Sequence, residues 1–313
     1  MKELKSPESN FPISPNGKLN FAKTSDGKKV RYALWPEGSE GLVIFLNGRN
    51  EYIEKYNESY SKFQSLGYAV VTLDWRSQGL SERPKWNKDV GYVESFEKYQ
   101  LDLSAVLNEK QVKKIEGNRI LVAHSTGGCI GLRTLVESDH NIACAIFLSP
   151  FWDWGSAFGA PMVRNFIASI HKTFTALGFG KLPSGPKKKK PYVLTQTAQN
   201  NSLTSDKKQF DRLQKIISLD PRLSAGPPSV SWIASADEEM KKLREESKIK
   251  TPSLVLIASN DKLVSLDAAH NLCRRNSEWE LKMFDDARHE LLIEKEGTVD
   301  AVWTEIKAFL KKF

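Results

Sequence analysis

No run in the 313-residue sequence approaches the roughly 20 apolar residues that cross a bilayer. The opening stretch, MKELKSPESNFPISP, lacks the apolar segment of a secretory signal. Cysteine is scarce. Cys129, Cys144 and Cys273 are odd in number and widely spaced, and two of them lie in apolar segments. That pattern argues against a disulfide framework or a cysteine-bound metal and for buried free thiols. These absences make a cytoplasmic compartment the expectation. The chain shows no internal repeat, and no convincing apolar strand between Phe151 and Lys250.

What is present suits a protein with a substantial core. Hydrophobic residues make up 40% of the chain and charged residues 27%. Eight tryptophans and fifteen phenylalanines exceed what such a core strictly needs. The net charge of +8 admits an anionic partner. Nucleic acid is not expected, because the basic residues are scattered and no stacking platform accompanies them.

Residues 1–17 read as a loose polar arm. Phe21–Thr24, Asp26-Gly27 and Val30–Trp35 read as strand, hairpin turn and strand. Short apolar runs at Leu42–Leu46, Tyr68–Asp74, Ile120–Ala123, Ile142–Leu148, Ser253–Ala258 and Glu280–Phe284 read as strands, most of them covered on both faces. Helical patterns lie between them: Tyr52–Leu66, Phe96–Val112, Thr126–Glu137, a helix from Leu266, and Thr298–Lys312. The alternation predicts an α/β fold, with a mostly parallel sheet and helices on both faces. Residues 18–150 and 251–313 form its core. Residues 151–250, helical or irregular, read as an inserted cap over the carboxyl edge of the sheet, where ligands bind in open α/β sheets.

The stretch RILVAHSTGGCI, Arg119–Ile130, organises this scheme. A buried strand runs into a tight turn around Ser125, and a helix follows, which is the setting of a nucleophile elbow. The residues two before and two after the serine must be small, and they are Ala123 and Gly127. A serine needs a base, and the base an orienting acid. Of five histidines, His289 lies in the loop after the last strand, at the carboxyl edge. His124 lies inside the elbow, with its side chain expected to point away from that of Ser125. Asp261 lies in the loop after the preceding strand, whereas Asp285, Asp286 and Glu290 share His289's own loop. Ser125, Asp261 and His289 therefore stand in the Ser…Asp…His order. Backbone N–H groups of Thr126 and Arg49 are the expected oxyanion donors, with Gly48 allowing the tight approach.

The segments LNGRNEYIEKY, LDWRSQGLSERP, AHSTGG, the SND aspartate and the ARHE histidine together resemble the serine hydrolases that include monoacylglycerol lipases and bacterial lysophospholipases. The resemblance runs from about residue 20 to the C-terminus. NNSLTSDKKQFDRL and GPPSVSWIASA look more like the lysophospholipase branch. It implies an α/β-hydrolase fold with a helical lid, acting on carboxylic esters of lipids without metal or organic cofactor. The family usually has His-Gly-x-x-Glu where this chain has Asn47-Gly48-Arg49-Asn50-Glu51. It has Asp-x-Arg-Gly-x-Gly-x-Ser where this chain has Ser77 at the first glycine.

Phe151, Trp152, Trp154 and Phe158, then Phe166, Phe174 and Phe179, are as a group candidates to enclose an acyl chain, while any single one reads equally well as packing the small core of the inserted segment itself. Lys187, Lys188, Lys189 and Lys190 form a basic run between prolines, readable as a solvated loop or as a patch drawn peripherally to anionic lipid. A lysophospholipid is the first expected substrate, and a monoacylglycerol or generic ester the second. A peptidase or amidase on the same fold and a catalytically silent lipid-binding homologue are the alternatives. The serine at the elbow disfavours aspartate-nucleophile dehalogenase or epoxide hydrolase chemistry.

Overall fold

The computed structural model describes residues 8–137, 140–185, 190–245 and 249–313. Strands β1 (Lys18–Lys23) and β2 (Lys29–Trp35) form an antiparallel hairpin. β3 (Gly41–Leu46), β4 (Ala69–Leu73), β5 (Asn118–His124), β6 (Ile142–Leu148), β7 (Ser253–Ala258) and β8 (Trp279–Phe284) follow. The sheet order is β1-β2-β4-β3-β5-β6-β7-β8. β2 is antiparallel to both its neighbours, and β4 through β8 in that order run parallel. This is the expected mostly parallel sheet.

Its central strands are apolar throughout because both faces are covered. Along β3, Leu42, Ile44 and Leu46 enter one core layer while Val43 and Phe45 enter the other. Helices α1 (Asn57–Ser65) and α9 (Glu296–Leu310) cover the second face. The first is covered by α2 (Glu97–Leu107), α4 (Thr126–Glu137) and α8 (Leu266–Arg275). The single helix expected over Phe96–Val112 is two. α2 ends where the N–H groups of Asn108 and Glu109 bond back to Ser104 and Val106. Glu109 then takes ψ 136° before the short α3 (Lys110–Lys113).

Between β6 and β7 the described residues contribute no strand to the sheet. They carry α5 (Pro161–Phe174), α6 (Lys207–Leu219) and α7 (Val230–Glu245). α7 joins the first core layer through Trp232, Ala236, Met240 and Leu243. α6 closes a smaller cluster with Tyr52, Leu80 and Leu223. α5 packs on α7 and buries little besides Ala168.

Two loops that frame the carboxyl edge are held by a buried ion cluster. Arg31 bonds Asp74 through Nε (2.7 Å) and Glu54 through both terminal nitrogens (2.9 and 2.8 Å), all three side chains fully buried. Asp74 also accepts the N–H groups of Ile53 (3.0 Å) and Leu80 (2.8 Å). Removing the guanidinium leaves two carboxylates facing each other out of water. Arg31→Met is expected to cost about 3–5 kcal/mol in urea unfolding, and a variant as stable as the parent would contradict this account of the loops.

Candidate active site

Ser125 sits between β5 and α4 with φ 51°, a left-handed conformation that a residue bearing a Cβ rarely adopts. The turn is held by Ser125 N–H donating to Leu148 (3.1 Å) and by Gly128 and Phe151 N–H groups donating to the Ser125 carbonyl (both 2.8 Å). Its tightness explains the small neighbours. A Cβ on Gly127 would lie 2.2 Å from the Leu46 carbonyl oxygen, and one on Gly48 would lie 2.9 Å from Ser125 Cβ. Ala123 is wholly buried between β3 and β6, opposite Leu46 and Phe147.

The structure brings Asp261 and His289 together, although 28 residues separate them. Asp261 Oδ2 lies 2.6 Å from His289 Nδ1, and Oδ1 accepts from Leu263 N–H (2.8 Å) and Val264 N–H (3.3 Å). Burial alone would raise the Asp261 pKa, but His289 and the two backbone donors hold it below the usual value. The Asp261 contact engages Nδ1 and leaves Nε2 as the other ring nitrogen of His289. Asp285 and Asp286 are exposed. The three loops bearing Ser125, Asp261 and His289 follow β5, β7 and β8 at one edge of the sheet. As the first residue of α4, Thr126 has no intrahelical acceptor for its N–H. The Arg49 N–H, on the loop after β3, has no backbone acceptor among the described residues.

A second histidine was not foreseen as a participant. His124 does point away from Ser125, into a buried cluster. Its Nδ1 lies 2.9 Å from Glu51 Oε1 and 3.0 Å from Tyr56 Oη, and its Nε2 lies 3.2 Å from the carbonyl oxygen of His289. Tyr56 donates to Glu290 (2.8 Å), and Lys55 Nζ bonds both Glu51 (2.8 Å) and Glu290 (2.5 Å). Glu51 in turn accepts the Gly48 N–H. Burial by itself would push His124 down, but Glu51 and Glu290 outweigh it and hold its pKa at about 9. Glu51, His124 and Glu290 have ligand-type atoms within 4.8 Å of one another. Lys55 supplies the cation there. The signal available in the sequence was the density of charge in NGRNEYIEKY and RHE, which reads equally well as solvated loop.

A family model described as serine aminopeptidase, S33 (Hydrolase_4) matches residues 37–296. The chain belongs to this family of hydrolases. A probable lysophospholipase L2 from Haemophilus influenzae is 27% identical over 288 residues, covering 90% of this chain and 87% of the relative. Lysophospholipase L2 of Escherichia coli K12 is 26% identical, covering 82% and 76%. A soluble variant of monoglyceride lipase from Saccharomyces cerevisiae matches with a TM-score of 0.73 at 19% identity, covering 98% of each chain. Monoacylglycerol lipase from Paleococcus ferrophilus gives 0.68 at 18% identity, covering 94% and 98%. The α/β-hydrolase fold is thereby shown.

In this S33-family hydrolase the two departures from the expected pattern have local structural roles. Asn47 is fully buried, and its amide donates to Leu73 O (3.0 Å), fastening the ends of β3 and β4 together. Ser77, at the glycine position, holds φ 64° and is buried, with its N–H on Glu82 O (3.1 Å). The loop keeps a glycine-like shape without the glycine.

The cap aromatics divide differently from the expectation of one acyl enclosure. Trp152 is core: its indole donates to Gly128 O (3.1 Å) and its ring packs on Phe147 and Trp279. Phe151 and Trp154 are also buried, edge to face with each other, and Phe151 stacks on Trp232. Phe158 meets Trp154 but is 43% exposed, and Phe166, Phe174 and Phe179 all face outward. Helical spacing could not distinguish an inward stripe from an outward one. Lys187, Lys188 and Lys189 lie outside the described residues, and Lys190 is exposed.

The charged cluster makes stability pH-dependent. His124 has a folded pKa of about 9 against an ordinary 6.5. Its contribution is complete below pH 6.5 and is lost as pH rises through about 9. The shift corresponds to on the order of 3 kcal/mol. His124→Gln is expected to melt well below the parent at pH 6, with the two melting curves converging toward pH 10. Parallel curves over that range would refute the assignment.

Proposed function

We propose that the protein is a serine hydrolase that cleaves carboxylic esters of lipids through an acyl-enzyme on Ser125, with lysophospholipids first and monoacylglycerols second. The observation that carries this reading is the 2.6 Å bond between Asp261 and His289, at the same sheet edge as a serine held at φ 51°. His289 Nε2 takes the Ser125 proton as Oγ attacks the ester carbonyl. Thr126 and Arg49 N–H groups hold the oxyanion. His289 returns the proton to the leaving alcohol and then activates water to release the acid. Asp261 fixes the tautomer and stabilises the imidazolium. These steps call on no metal or organic cofactor. The choice of lipid follows the names of the L2 relatives and of the monoglyceride lipases that share the fold. The family's own description keeps a peptidase as the second reading.

Residues 151–250 serve in this reading as the cap, and α5 is its lipid-facing edge. Met162, Phe166 and Leu177 are 83%, 66% and 66% exposed. Lys181 and Lys190 follow them in sequence and are also exposed. An apolar face bordered by lysines suits peripheral seating on an anionic bilayer.

A fluorophosphonate probe should label Ser125 in the folded protein and leave Ser125→Ala unlabelled, while Asp261→Asn should lose about 10⁴-fold in kcat. Greater turnover of amino-acyl amides than of p-nitrophenyl esters would overturn the lipid-ester reading. Phe166→Ser with Leu177→Ser, or glutamine at Lys187–Lys190, should reduce sedimentation with phosphatidylglycerol vesicles at low salt, each lysine contributing about 1 kcal/mol near such a surface. Undiminished binding by both variants would remove the docking face.

A further inference from the structure

The three arginines whose side chains are most deeply buried in this protein are paired with carboxylates. Arg31 bonds Asp74 and Glu54, Arg76 bonds Asp102 and Asp26, and Arg133 bonds Glu97, Glu137 and Glu239. Arg49 has no ion-pair partner among the described residues. Its guanidinium makes one hydrogen bond, from Nη2 to the carbonyl of Gly226 (2.6 Å), and its Nε is buried with no acceptor. Its Cζ lies 5.4 Å from the centre of the Trp232 ring. Burial pulls its pKa down to about 10, with only Tyr99 acting in the other direction.

A half-buried cation whose Nε is buried without an acceptor, and which has no counter-ion among the described residues, is costly unless an anion arrives to complete it. The position of this one is specific. Arg49 is on the loop after β3, next to Gly48, whose Cα faces Ser125 closely enough that a Cβ would be 2.9 Å from that of the serine. Trp232 also stacks on Phe151, and the Phe151 N–H donates to the Ser125 carbonyl (2.8 Å). The guanidinium is therefore tied on two sides to the turn that holds the serine. Its own amide is the proposed oxyanion donor. The path of bonds from that amide nitrogen to Cζ is as long as the path from the ester carbonyl carbon of a lysophospholipid acylated at its terminal hydroxyl to its phosphorus.

We propose that the Arg49 side chain is the receptor for a phosphate carried on the leaving alcohol of the substrate, so that one residue serves the ester at its backbone and the head group at its side chain. This rests on the ester-hydrolase reading above and narrows it to esters of phosphorylated glycerol. A planar guanidinium with free donors meets phosphate oxygens in pairs, which a point charge does not. The bond to Gly226 fixes one end of the fork and leaves the remainder for the ligand.

The test compares a short-chain lysophosphatidic acid with the monoacylglycerol of the same acyl chain, both kept monomeric so that surface charge plays no part. In Arg49→Gln, which removes the charge and the fork of donors, the ratio of kcat/KM for the phosphorylated over the neutral ester should fall about 10- to 100-fold, the worth of one or two charged hydrogen bonds. Arg49→Lys should recover part of that ratio. An unchanged ratio, including an equal fall on both esters, would overturn the proposal, since a residue that only staples the cap would affect both alike. Glycerol phosphate, followed by phosphorus NMR line broadening, gives an arm free of turnover. Saturable binding to the parent that is weakened in Arg49→Gln and partly regained in Arg49→Lys supports the receptor even if neither ester is cleaved, in which case it is the hydrolase reading that fails. Absence of binding to the parent, or equal binding to the parent and folded variants, counts against the receptor. If Arg49→Gln does not fold, the Lys variant must still show a lower ratio than the parent, and an equal ratio would overturn the proposal.

Discussion

Lys55, Glu51, Glu290 and His124 are buried together beneath the carboxyl edge, and the arrangement of the site depends on their mutual attraction. Glu51, His124 and Glu290 belong to different pieces of the structure. Glu51 receives the Gly48 N–H and so shapes the loop that carries Arg49. His124 ends the strand that delivers Ser125, and Glu290 adjoins His289. With His124 charged, two cations face two carboxylates, and Nδ1 and Nε2 both donate, toward Glu51 and the His289 carbonyl. Such a cluster contributes little net stability compared with an apolar core, but losing one member leaves an uncompensated buried charge. Three loops from three strands are thereby held in one geometry, as a site needing sub-ångström placement requires.

The scaffold was legible because it is written in apolar runs. β6 and β7 occupy the very residues whose hydrophobicity marked them, and α4 starts at Thr126 as its pattern implied. The Ser125, Asp261 and His289 positions were legible for a related reason: each lies in a loop just past such a run. The charged cluster was not. A lysine or glutamate in a loop normally means solvent, and nothing local says that Lys55 and Glu290, 235 residues apart, will be buried against each other. The outward turn of α5 was hidden too, since an amphipathic helix has the same periodicity whichever way its apolar side faces.

Asn47 and Ser77 show a different limit. As letters they are departures from the family's usual pattern, with no sign of what they do to the loops. In the fold Asn47 pins the end of β4, and Ser77 accepts a backbone conformation that costs it something but keeps the loop closed. Arg49, by contrast, entered as a backbone donor, and nothing local in the sequence marks its guanidinium as one without an ion-pair partner among the described residues.

The register between β6 and β7 has a bearing on how such a protein can change. Ala145 to Leu148 pair with Ser253 to Leu256, so the chain between β6 and β7 is a loop closed by one parallel strand pair. The entropy of closing a loop grows only logarithmically, by about 0.6 kcal/mol for each doubling of its length. The strands therefore register almost no penalty when exposed parts of the intervening chain, such as α5, are lengthened or rebuilt, whereas α7 is held by its own place in the core. Such changes leave the turn at Ser125 and the loops of Asp261 and His289 under their own separate constraints.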